Sequence, residues 1–144
     1  MTRPGRLAVV PIGLGVAVAA LILVFAIQPP AIQIPPVSAT PEVVLDTYLR
    51  TLIAGDCATG RKLGAGGFLT IHAGDLCGQT RVTADHVLPG GPAYPNPSEA
   101  VYAVQLTTTG SADGTIQPGA VPWFYSLDRQ TDGSWRITGG GSGP

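Results

Sequence analysis

The sequence predicts an α+β protein: a small domain of short helices packed on a bent antiparallel sheet, preceded by a transmembrane helix. Three observations predict it. Residues 7–27 carry no charged or strongly polar side chain. From residue 41 apolar side chains recur at helical spacing, and beyond Cys77 the spacing changes to the alternation of strands.

The first of these is the run "LAVVPIGLGVAVAALILVFAI". At a rise of about 1.5 Å per residue it covers roughly 30 Å as a helix, the thickness of a hydrocarbon core. A soluble helix of this length would show a polar face, and none is visible. Pro11 falls near the start of the run, where it disturbs the backbone ladder least. Arg3 and Arg6 precede it, and no Lys or Arg follows until Arg50. By the positive-inside tendency the amino end stays in the cytoplasm and the remainder is translocated. Residues 1–6 are then a cytoplasmic terminus and residues 7–27 a signal-anchor in the lipid bilayer of the cell membrane, with the rest extracytoplasmic. A signal peptide cleaved after Ala26 is the competing expectation, although its apolar region is usually shorter, about 7–15 residues.

Residues 28–40 contain two Pro-Pro pairs and read as an extended, semi-rigid linker. About one hundred residues remain, enough for one small domain (41–138), followed by a Gly-rich tail (139–144). Of the 144 residues 12% are charged, against about a quarter in soluble domains. With a net charge of −1 there is no basic stripe to neutralise phosphates, so nucleic acid is excluded as a partner.

Cys57 and Cys77 both lie on the translocated side, where an oxidising compartment favours a disulfide. Two free buried thiols are the alternative. Neither of the two histidines has ligand spacing to these cysteines, which argues against zinc.

Within the domain, Thr40 can cap a helix, Pro41 suits its first turn and Glu42 complements its dipole. Val44, Leu45, Tyr48, Leu49 and Leu52 then share one side, with Asp46 and Arg50 on the other. Gly55 stops this helix, and Asp56 caps a second one through about Leu63. In "RVTADHVL" alternation groups Val82, Ala84, His86 and Leu88 on one face. The stretch 90–99 is crowded with turn formers. "VYAVQLTTT" aligns Tyr102, Val104 and Leu106, and "VPWFYSLDR" aligns Val121, Trp123, Tyr125 and Leu127. After the hairpin signal Thr131-Asp132-Gly133, "SWRIT" aligns Trp135 and Ile137.

"VVLDTYLRTLIAGDCATGRKL" resembles the opening helices of the nuclear transport factor 2-like superfamily, where a helix ends in a similar "AGD". "WFYSLDRQTDGSWRI" is similar to the closing hairpin of that cone-shaped fold. The resemblance covers most of residues 40–138 and, with the apolar run, is strongest to membrane-anchored actinobacterial members. It implies a bent sheet closed by helices. It leaves the activity open, because the superfamily hosts isomerases, dehydratases, cyclases and members without activity.

The ketosteroid isomerase branch of that family has a tyrosine eight residues before the Asp of "AGD", donating to an oxyanion. Tyr48 stands eight before Asp56, so the resemblance assigns it that position. Such an enzyme also needs a carboxylate base, expected between His72 and Asp75, and a second acid donor. The alternation puts no acidic residue on the inner face of the strands to be that donor. A Tyr48 packed in the core with its hydroxyl satisfied is the structural alternative. His86, on the apolar face by alternation, is a candidate general base or pH-sensitive contact. Phe124 is sent outward beside Pro122 and Ser126, and an exposed aromatic on a sheet face suits a protein partner or a homodimer. No Gly-x-Ser-x-Gly elbow and no phosphate loop is present. The expected function is therefore a membrane-anchored domain at the cell envelope that binds a protein partner or a small apolar ligand without a cofactor. A ketosteroid isomerase-like isomerase or hydrolyase using Tyr48 is the alternative.

Overall fold

The computed structural model describes residues 30–66, 68, 75–89, 91 and 97–143. The chain divides into two compact units, Met1–Ala31 and Ile32–Pro144. The apolar run 7–27 and the expected cleavage site after Ala26 lie outside the described residues. Among the described residues no helix is long and apolar enough to cross a membrane. The second unit, Ile32–Pro144, is a small α+β domain with a four-stranded antiparallel sheet.

Helix α1 spans Pro41–Ala54 and buries Val44, Leu45, Tyr48, Leu49 and Leu52, the residues its periodicity groups together. Thr40 occupies the N-cap but makes no side-chain cap to the helix amides. The first turn relies instead on Pro41 and on Glu42, which accepts a hydrogen bond from the Tyr102 hydroxyl at 2.6 Å. Gly55 ends α1 at φ 71°, a left-handed conformation that glycine adopts without steric cost. Helix α2, Cys57–Arg61, begins at Asp56, whose carboxylate accepts from the Thr59 N–H at 3.0 Å. It ends earlier than the expected Leu63. Gly60 faces α1 so closely that a Cβ there would lie 2.6 Å from Thr51 Oγ1. The absent side chain lets the two helices meet.

The sheet runs β1-β2-β3-β4 in chain order, with β1 Val82–Val87, β2 Glu99–Thr109, β3 Pro118–Arg129 and β4 Trp135–Gly141. Its inner face carries Tyr102, Val104 and Leu106 of β2, Tyr125 and Leu127 of β3 and Ile137 of β4, all buried with α1 in one core. Strand β4 continues through Gly141, so the first part of the expected Gly-rich tail is strand. Glycines carry no side chains to show alternation, which is why the pattern stops short of them.

A β-bulge between Val82 and Ala84 overturns the expected face of β1. One additional residue on one strand shifts everything after it to the opposite face. Val82 stands opposite Thr108 and is buried, but beyond the bulge Ala84 pairs with Thr107 and His86 with Gln105. Ala84 and His86 are consequently exposed, and Asp85 takes the inward place opposite Leu106.

The end of the Pro-rich linker belongs to the domain. Ala39 packs on the core and donates its N–H to the Pro36 carbonyl at 2.9 Å. Ile34, Pro35 and Val37 border a crevice of about 30 Å³ shared with Val44 and Trp135. Cys57 and Cys77 form a disulfide, with Cα atoms 5.5 Å apart, that fastens the start of α2 to the segment leading into β1.

Candidate functional site

Tyr48 lies in the middle of the buried side of α1, 1% exposed. Its hydroxyl donates to Asp75 Oδ1 at 2.9 Å. The same oxygen accepts the Cys77 N–H at 3.0 Å, so the disulfide that holds Cys77 also holds the carboxyl. Arg61 Nε stands 3.9 Å from Asp75 Oδ2, and the Asp75 carbonyl accepts from Gln79 Nε2 at 2.7 Å. The Tyr48 ring meets Phe68 and Tyr125 edge-on, with centroids 5.5 Å apart in each case.

Burial pushes the Tyr48 phenol far above its ordinary value, and the neighbouring Tyr125 and Asp75 add to that. Burial raises Tyr125 in the same way, followed by the Asp75 carboxylate. The Tyr125 hydroxyl is buried and makes no well-formed hydrogen bond. Both phenols therefore stay neutral across the physiological range.

This cluster joins two of the residues singled out in the sequence, Tyr48 and Asp75. The Tyr48 O–H, which the resemblance assigns to an oxyanion, is donated to Asp75 inside the core. The arrangement matches the alternative of a packed tyrosine with its hydroxyl satisfied. His72, at the other end of the expected base region, lies outside the described residues.

Asp85 is the residue that alternation missed. The bulge turns it inward, where burial and then the charge of Asp46 on α1 raise its carboxyl above the usual range. Only the register of β1 against β2 reveals this, and no local pattern in "VTADHV" encodes it. His86, on the opposite face, is exposed. Phe124 is on the outer face as expected, opposite Ala103, but is half-buried rather than exposed. Val101 on that same face is buried.

A ligand could enter a cavity of about 430 Å³ beside the end of β4. Leu76, Ile116, Val121 and Trp123 supply apolar walls, and Gln79 and Gln117 the polar ones. Among the described residues neither Tyr48 nor Asp75 lines it, and no ionisable side chain does. The two glutamine amides are already oriented, Gln79 by the Asp75 carbonyl and Gln117 Nε2 by the Gly114 carbonyl at 3.0 Å. The Trp123 indole N–H is buried without a hydrogen-bond partner among the described residues. A concave, mostly apolar site with a few fixed polar groups suits the binding of a small neutral molecule.

Among the described residues no three His, Cys, Asp or Glu side chains converge as metal ligands. No protein-family model and no curated protein matches the chain.

Proposed function

We propose that this chain is a single-pass membrane protein, amino end in the cytoplasm, whose nuclear transport factor 2-like domain binds a small, neutral, largely apolar ligand at the outer side of the membrane. The observation that carries the binding role is the cavity of about 430 Å³, which no ionisable side chain lines among the described residues, separate from the buried Tyr48–Asp75 pair. The uncharged run 7–27 supports the anchor. The disulfide Cys57–Cys77 supports an oxidising compartment for the domain. A protein partner or second copy on the outer sheet face is the weaker reading, since Phe124 is half-buried there.

The test is methyl and indole NMR on Ile32–Pro144 titrated with a set of small neutral aromatic and alicyclic ketones. Shifts at Leu76, Ile116, Val121 and Trp123, with Tyr48 unmoved, are expected. The isomerase alternative predicts turnover of a ketosteroid that Tyr48→Phe abolishes. That result, with no probe shifting the cavity, would replace the binding role.

A further inference from the structure

The domain carries an exposed apolar patch where the linker meets α1. Ile34 and Val37 are 42% and 55% exposed. Ile34 and Val37 border the small crevice whose other walls include Val44, Leu63, Trp135 and Arg136.

Two cationic residues stand at the same rim. Arg136 Nη1 donates to the Lys62 carbonyl, which brings these residues together, and Lys62 is exposed. Carboxylates stand near both cations: Asp132 and the cross-strand Asp128 near Arg136, and Asp56 near Lys62. Exposed aliphatics beside an amphipathic indole make the apolar side of a surface that lies in a lipid headgroup region.

The chain outside the described residues selects the occupant. Ile34 follows the end of the apolar run, Ile27, by seven residues. At no more than about 3.6 Å per residue that stretch reaches at most roughly 25 Å. A chain anchored by residues 7–27 therefore keeps the patch within reach of the bilayer surface.

We infer that the patch formed by Ile34 and Val37, beside the Trp135 crevice, rests on the lipid surface. This inference rests on the anchored reading above.

The test uses the full chain in nanodiscs of phosphatidylcholine and phosphatidylglycerol, with and without bromine on the acyl chains. Trp135 emission is read in a Trp123→Phe background and Trp123 emission in a Trp135→Phe background. Brominated lipid is expected to quench Trp135 and spare Trp123. The exposed-site variant Ile34→Asp/Val37→Asp is expected to abolish the quenching. A chain that stays in the disc with Trp135 unquenched, or quenched equally in the double aspartate variant, overturns the inference and leaves the anchor intact. A chain that does not co-elute with the discs overturns the anchor and the inference together.

Discussion

The Tyr48 hydroxyl and Asp75 Oδ1 meet at 2.9 Å across 27 residues of sequence, joining α1 to the segment held by the disulfide. The bond ties helix, disulfide loop and sheet together at one buried point, because Tyr48 also packs edge-on against Tyr125 of β3.

Tyr48→Phe keeps the ring contacts and removes the donor. A buried carboxyl left short of a hydrogen bond costs about 1–3 kcal/mol. Urea unfolding is expected to show a loss of that size with an unchanged m value. Ligand binding in the cavity beside β4 should be unaffected, since Tyr48 does not line it.

Replacing Cys57 and Cys77 by Ala opens a loop with a sequence separation of 20. The chain-entropy model gives about 3 kcal/mol for a closure of this length. Because Cys77 also donates its N–H to Asp75, this loss and that of Tyr48→Phe should not add. A double-mutant cycle by chemical denaturation measures the coupling.

Tyr48, Tyr102 and Tyr125 all have phenols raised above their ordinary value, chiefly by burial. The unfolded chain loses these protons first, from about pH 10. Their contribution is complete below that pH and disappears as pH rises further toward the folded values. Absorbance at 295 nm should therefore show these tyrosines ionising only together with cooperative alkaline unfolding.

The bulge makes opposite predictions for adjacent residues. Asp85 is raised by burial and then by Asp46, so its contribution is present at low pH and is lost as pH rises through the folded value. Asp85→Asn should gain stability at pH 7, up to about 1 kcal/mol after solvent screening, and nothing at pH 3. His86→Asn, at an exposed site, should change stability by less than about 0.5 kcal/mol at either pH.

The sequence makes α1 readable because five apolar positions repeat every three to four residues and all five face the core. Gly55 and Asp56 mark the joint between helices because a left-handed turn and an N-cap each demand particular residue types. The strands are located correctly, but the face of β1 is not. A single additional residue at the bulge leaves composition and alternation intact while exchanging His86 for Asp85. Asp75 is placeable only as part of a region, since its bond to Tyr48 depends on how the Cys57–Cys77 loop closes. The cavity is equally invisible, because Leu76, Trp123 and Gly141 come from three separate stretches with no shared spacing.

Ala39 plugs into the core and Ile34, Pro35 and Val37 lean against Val44 and Trp135. A recombinant fragment cut at Thr40, just ahead of the first helix, would strip off that buttress and uncover greasy surface. Cutting at Ala31 instead retains it, and the two preparations should differ in solubility and melting temperature although they share every helix and strand.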